Sequence, residues 1–350
     1  MSESHWFRKR WKLIVNIITI LALLIVIIAT RHQIGATFSE LKKINAWALL
    51  LLIPVEALNY HAQARLYQRL FNIVGTKLPY KFLYRTSLEL NFVNHVFPSG
   101  GVTGLSYFTL RIGKGKNIPY GKVTLMHVLK IGLYFLSYEL ILFFGVFALA
   151  IMGRVNGVVI VLASSITTIL IIGTAFFIYL LGSKSRINNF FTGATRILNR
   201  IIKVILPKSP ETINISGVRK LFDDFHNNYQ EIKHSLDQLK VPFLYATLAD
   251  ATEIAAIYVI YIAFDKFINI GAVILAYGIA NFAGAISVLP GGVGVYEALM
   301  TGALVSMGIP AALSLSATIM YRVLNTLLQI PPGYFLYTRA LKQGQKPVSS

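Results

Sequence analysis

Cysteine does not occur in this 350-residue chain, which excludes disulfides and thiolate metal sites. Charge is scarce as well: only 13% of residues are Asp, Glu, Lys or Arg, against 55% hydrophobic ones. Acidic residues are the rarer kind, 14 against 33 Lys and Arg, for a formal net charge of +19. In a soluble protein that balance would suggest nucleic acid. Here the basic residues lie between apolar runs, where cytoplasmic loops of membrane proteins collect them. No basic, aromatic-rich domain stands apart from those runs, so anionic lipid is the expected partner and direct nucleic-acid binding is not. Catalytic templates are also missing: there is no H-E-x-x-H, no Walker lysine loop, no nucleophile elbow and no dinucleotide fingerprint. His61, His95 and His127 do not fall at metal-ligand spacing, and neither a metal nor a cofactor is expected.

What the chain does have is long apolar runs. A hydrocarbon core about 30 Å thick needs roughly 20 apolar helical residues. The runs 13–30, 45–60, 123–152, 158–181, 241–264 and 311–337 are read as about six full spans of an all-α polytopic membrane protein. The first follows Arg8, Lys9, Arg10 and Lys12. It is too long for a signal h-region and has no small-x-small closure, so it reads as an uncleaved span. Basic clusters at Arg65 to Arg85, at Arg111 to Lys122, in residues 183–240 and after the last span assign those segments to the cytoplasm, with both termini on that side. Residues 1–340 are thus expected to form one integral-membrane domain, followed by a short polar tail at 341–350. The insertion 183–240 carries ten Lys or Arg against five Asp or Glu. Its pattern of Ile197, Leu198, Ile201, Ile202 and Ile205 among Arg196, Arg200 and Lys203 suits an amphipathic helix, lying either in the headgroup region or on the protein's own cytoplasmic face. A second amphipathic helix is expected at 218–239.

Two further apolar segments, 86–110 and 267–309, are broken in the same manner. Asn94 precedes Pro98-Ser99-Gly100-Gly101, and Asn281 precedes Pro290-Gly291-Gly292-Val293-Gly294. In hydrocarbon such a break is tolerated only where it is buried in protein or lines a wet cavity. Basic clusters on both flanks of 86–110 favour a re-entrant hairpin entered from the cytoplasm, whereas 267–309 begins and ends outside. The two halves are then related as an inverted repeat, with a midplane substrate site at the breaks. Helices restarting after a Gly-rich break would aim free N–H groups at an anion such as phosphate; alternatively, the glycines only let helices pack closely.

Ionisable residues inside spans are costly and mark candidate sites: Glu56, Glu89, His95, Lys130, Glu139, Asp250, Glu253, Glu297 and Arg322. Several would serve equally as structural ion pairs. Arg322 suits a phosphodiester, and Glu297 or Asp250 a cationic headgroup. The candidate substrate-binding set is Asn94, Pro98, Gly100, Gly101, Asp250, Asn281, Pro290, Gly291, Gly292, Glu297 and Arg322.

At Asn94-His95-Val96-Phe97-Pro98-Ser99-Gly100-Gly101 and at Ser287 to Ala298, the latter including Pro290-Gly291-Gly292 and Glu297, the chain resembles the lysylphosphatidylglycerol synthase transmembrane family. Large members of that family join a lipid flippase region to a cytoplasmic domain that transfers an aminoacyl group from tRNA to phosphatidylglycerol, and exposure of the cationic lipid outside reduces attraction of antimicrobial peptides. The resemblance implies a flippase-like handler of a phospholipid, such as aminoacylated phosphatidylglycerol, in a bacterial cytoplasmic membrane. After the last span only Arg339 to Ser350 remain, too few residues for a catalytic domain. A separate lipid-modifying enzyme is therefore an expected partner. The alternatives are a phosphatidylglycerol lysyltransferase-type membrane enzyme and a membrane scaffold for one.

Overall fold

The computed structural model describes residues 44–96, 102–151, 153, 157–190, 192–193, 229, 235–286 and 294–343. The expected first span at 13–30, both Pro-Gly-Gly breaks with Pro98, Gly100, Gly101, Pro290, Gly291 and Gly292, the amphipathic helix at 197–205, most of 218–239 and most of the tail lie outside the described residues.

All regular structure among the described residues is helical. The principal helices are α1 (Leu52–Ile73), α2 (Tyr80–Val96), α3 (Val102–Lys116), α4 (Tyr120–Ile151), α5 (Gly157–Leu181), α6 (Lys240–Ala263), α7 (Ile270–Ile286), α8 (Val295–Ser306) and α9 (Ala311–Gln343). Single 3-10 turns, Ala48–Leu51 and Leu236–Leu239, lead into α1 and α6.

Proline marks the starts of five of these helices, where its missing N–H costs nothing, while Pro331 and Pro332 lie inside α9. Pro54 and Pro242 lie in the first turns of α1 and α6, and Pro79, Pro119 and Pro310 immediately precede α2, α4 and α9. The helix ends recur in pairs too. Asn117 closes α3 with φ 52°, and Gly308 follows α8 with φ 86°. Each is followed by Ile-Pro, and the Ile N–H returns to a helix carbonyl: Ile118 to Gly113 at 3.0 Å, Ile309 to Leu304 at 3.1 Å. A left-handed residue satisfies the orphan carbonyls and the proline forbids continuation, so the chain turns sharply into the next long helix.

One order of elements therefore occurs twice: long helix, 17-residue helix, break, short helix, Ile-Pro turn, long helix, as α1 to α4 and again as α6 to α9. The packing is reciprocal. Helix α1 lies along α6, α2 packs on α9, and α7 packs on α4. At the α4–α7 crossing a Cβ on Gly271 would stand 2.1 Å from the Gly145 carbonyl oxygen. At the α2–α9 crossing a Cβ on Gly333 would stand 2.8 Å from the Leu88 carbonyl oxygen. Small residues let membrane helices approach to backbone contact.

Among the described residues four helices are long and apolar enough to cross a membrane: Tyr120–Ile151, Gly157–Leu180, Leu236–Ala263 and Ala311–Lys342. They match the expected spans 123–152, 158–181, 241–264 and 311–337. The expected span at 45–60 differs. Its helix starts at Leu52 and runs on to Ile73, taking in Arg65 and Arg69, which the charge pattern assigns to a loop. Helix α1 buries Glu56, Asn59 and Tyr60 against its neighbours, so one face is polar and its mean apolarity falls below that of α6, along which it lies. The first broken hairpin is also wider than 86–110, since α2 begins at Tyr80 and α3 continues to Lys116.

Apolar side chains form two main cores. One gathers residues from α1 to α4, including Tyr67, Phe71, Phe108 and Met126; the other gathers the far ends of α4 and α6 with α5, α7, α8 and α9, including Leu142, Ile260, Ala276 and Met320. Helix α4 contributes Val123 to Leu133 to the first core and Tyr138 to Leu149 to the second. The outward faces of α4 and α5 expose Phe143, Phe144, Phe147, Ile160, Ile172 and Ile178, the surface that hydrocarbon solvates.

Candidate functional site

Between the two cores lies a polar layer built from α1, α2, α4, α6 and α9. Lys130 Nζ donates to Gln63 Oε1 at 3.1 Å, and Gln63 Nε2 donates to Asn59 Oδ1 at 2.7 Å. Asn59 Nδ2 is shared among Ala249 O at 3.0 Å, Thr252 Oγ1 at 2.9 Å and Glu253 Oε1 at 3.2 Å. The other oxygen of Glu253 accepts from the Tyr321 hydroxyl at 3.0 Å, and that hydroxyl accepts from Asn325 at 3.2 Å. Gln329 Nε2 closes the series by donating to Asn325 Oδ1 at 2.7 Å and to Glu56 Oε2 at 3.0 Å. A branch runs from Gln329 Oε1 through Asn91 to the Tyr60 hydroxyl, each contact 2.6 Å. One hydrogen-bonded chain thus joins α1, α2, α4, α6 and α9. Burial demands this: an unpaired amide or carboxylate at this depth would cost several kcal/mol or more.

One helical turn before Glu253, Asp250 takes a hydrogen bond from Ser137 at 2.5 Å and lines a cavity of about 230 Å³. Tyr134, Tyr138 and Tyr277 line the same cavity, with Asn281 and Gly278 at its α7 wall. Tyr138 is fixed by donating to the Ile274 carbonyl, and Gly278 leaves room for its ring. The Tyr134 hydroxyl is buried without a hydrogen-bond partner. A carboxylate ringed by aromatic faces is suited to an organic cation, which gains both the ion contact and the attraction of the ring quadrupoles.

The second hairpin supplies the other charged pair. Glu297, in the first turn of α8, accepts the Gly294 N–H at 2.7 Å, as a capping carboxylate does, and receives Arg322 Nη1 at 2.6 Å. The guanidinium also lies over the Tyr296 ring, 4.9 Å from its centroid, and its charge reaches His95 at the end of α2. The end of α2 and the start of α8 therefore meet the same charge. The first hairpin has its own pair: Arg111 grips Glu89 with contacts of 2.8 and 3.3 Å, and the Tyr107 hydroxyl adds a third at 2.7 Å.

Of the residues picked out from the sequence, Asp250 and Asn281 share the aromatic cavity, while Glu297 and Arg322 pair directly instead of standing apart. Asn94 is exposed and lies against α3, where a Cβ on Gly104 would fall 1.9 Å from its Oδ1; it closes the first hairpin. Among the other ionisable residues, Glu56, Lys130 and Glu253 join the chain, Glu89 pairs with Arg111, and Glu139 is half-buried on α4 outside these contacts. His95 bonds the Asn91 carbonyl one turn back at 2.9 Å, and His127 the Tyr67 hydroxyl at 2.7 Å. Arg111 had been counted as a loop charge and is instead folded onto Glu89. Asn59, Gln63, Tyr321, Asn325 and Gln329 were overlooked because they do not ionise. Their signal was present: 59 and 63, then 321, 325 and 329, stand at four-residue spacing on one helix face.

Long apolar helices exposing aliphatic and aromatic side chains, wrapped around a charged layer at mid-depth, define a polytopic α-helical integral membrane protein. The chain belongs to the family described as lysylphosphatidylglycerol synthase TM region, whose model matches residues 13–333. It is also similar to a UPF0104 membrane protein of Methanothermobacter thermautotrophicus, with 30% identity over 138 residues, which is 37% of this chain and 40% of that protein.

Proposed function

We propose that the chain is a single membrane domain that moves a phospholipid between leaflets, and that the headgroup passes through the mid-depth layer between inverted halves. The observation that carries this is the placement of Asp250, in its aromatic cavity, beside the second hairpin, whose Glu297 pairs with Arg322 of α9. Asp250 with Tyr134, Tyr138 and Tyr277 receives an ammonium group, such as that of an aminoacyl lipid. Arg322 exchanges Glu297 for the phosphodiester, whose two oxygens match the guanidinium fork. The doubled order of helices and the reciprocal packing of α2 on α9 and α7 on α4 support two halves that rock against each other. The broken segments, with Pro98, Gly100, Gly101, Pro290, Gly291 and Gly292, form the lining that the headgroup backbone meets. Cytoplasmic termini and residence in a bacterial cytoplasmic membrane follow from the same reading.

The test is reconstitution into vesicles containing lysylphosphatidylglycerol, with outer-leaflet lipid read by an impermeant amine label. The wild-type protein should expose lipid from the inner leaflet, while R322A and E297A should slow it about tenfold or more, since a charge-assisted contact contributes roughly 1.5–3 kcal/mol. D250N should slow the lysyl lipid more than unmodified phosphatidylglycerol. No movement by the wild-type protein would overturn the function, and unchanged movement by all three variants would overturn the site. If the purified protein instead formed lysylphosphatidylglycerol from aminoacyl-tRNA, it would be the synthase and not only its lipid carrier.

A further inference from the structure

The polar chain contains more than a headgroup site requires. It holds Glu56 and Glu253, with Asp250 one turn away, and Lys130 is the cation bonded into it. Arg322 is matched by Glu297. Every other side chain named in the chain is neutral: Asn59, Tyr60, Gln63, Asn91, Thr252, Tyr321, Asn325 and Gln329. Among the described residues of this layer three carboxyl groups stand against one ammonium; if all were ionised, two negative charges would lie where hydrocarbon does not screen them, with Glu56 and Glu253 feeling one another's charge. Protonation of carboxyls or a bound cation removes that excess. Among the described residues no three carboxylate or imidazole groups converge as metal ligands do, whereas the hydrogen bonds between Glu253 and Glu56 are continuous through Tyr321, Asn325 and Gln329.

We infer that Glu253 and Glu56 form a proton-carrying pair that couples lipid movement to the transmembrane proton gradient. The mechanism rests on the lipid-transport reading and deepens it. The Glu253 carboxylate takes up a proton on one oxygen and gives it up again, with no other bond made or broken. Protonation removes half of the acceptor set that holds Asn59 and Tyr321. Tyr321 is the neighbour in sequence of Arg322, and Asp250 lies one turn from Glu253 on α6, so the same event reaches both headgroup contacts. The charged and titratable groups facing Glu253 are Glu56 and Tyr60 on α1, Lys130 and Tyr134 on α4, Asp250 on α6, Tyr277 on α7, Tyr296 on α8 and Tyr321 on α9.

Two measurements test this. In vesicles of phosphatidylglycerol and lysylphosphatidylglycerol loaded with a pH-sensitive dye, an imposed pH gradient should change the wild-type lipid rate by about fivefold or more, the lower range of typical coupling between sites. The gradient should also dissipate faster with protein and lipid substrate together. E253Q should lose that gradient dependence, and E56Q should weaken it. Lipid movement indifferent to the pH gradient would overturn the inference and leave the transport reading standing, as would a rate that follows a sodium gradient at fixed pH. The second measurement does not require transport: the infrared spectrum of purified, monodisperse protein should show a protonated carboxyl band that titrates and that E253Q or E56Q removes. A band absent at every pH, or unchanged in both variants, would overturn the inference. Should wild-type protein move no lipid, the infrared band alone decides the proton site while the transport reading falls.

Discussion

The two broken hairpins share an order of elements but not a way of being held. In the first, the buried charge pair joins α2 to α3: Arg111 grips Glu89 at two atoms and Tyr107 adds a third contact, so the hairpin is locked to itself. In the second, Glu297 caps its own helix and reaches outward to Arg322 on α9. The first hairpin is therefore built to move as one piece. The second pairs across to another helix, and that is the contact which the proposed transport would hand to a ligand phosphate.

The comparison can be broken by exchanging the consequences. R111A leaves the Glu89 carboxylate, whose side chain is 2% exposed, with only Tyr107 as its partner. Stability should fall by about 3–5 kcal/mol, as when one member of a buried pair is removed. Thermal unfolding in detergent would show this, with lipid movement per folded molecule nearly retained. R322A also removes one member of a buried pair, leaving Glu297 with its side chain 6% exposed, so a comparable stability loss of about 3–5 kcal/mol is expected, but with a fall in transport. If both variants lost stability and transport in the same proportion, the hairpins would be mechanically alike.

Smaller effects sharpen the comparison at the helix crossings. G271A forces a Cβ to within 2.1 Å of a backbone oxygen on α4, which cannot turn aside, and G333A meets Leu88 O at 2.8 Å and Phe92 Cβ at 2.6 Å. Each should cost about 1–3 kcal/mol, with G271A the greater. G145A meets only the Ile274 side chain, at 2.9 to 3.1 Å, and should cost less than about 1.5 kcal/mol. Chemical denaturation of the three variants gives the order.

The long spans α4, α5, α6 and α9 were legible because twenty-odd apolar residues have one cheap solution in a bilayer, the helix. Glu297, Arg322 and Asp250 were legible because charge inside such a run stands out. Arg111 was misassigned, since a basic residue after an apolar segment is indistinguishable by pattern from a loop charge until the helix is known to continue to Lys116. Helix α1 was cut short at Tyr60 for the converse reason: polar residues that end an apolar run in sequence can line the inside of a helix in space. The repeated Ile-Pro turns at 118–119 and 309–310 lay in view, but their meaning depends on the left-handed residues before them.

The sequence by itself determined that this chain enters a membrane as helices, where prolines begin several of them, and which charges are costly to bury. These are local consequences of hydrocarbon, proline geometry and the cost of burying charge. Which charges meet was decided only by tertiary structure. Glu297 and Arg322 are 25 positions apart, and Glu56 and Gln329 are 273 apart. Such pairs arise from the packing of α1 along α6 and of α2 on α9, and nothing local in the chain encodes those crossings.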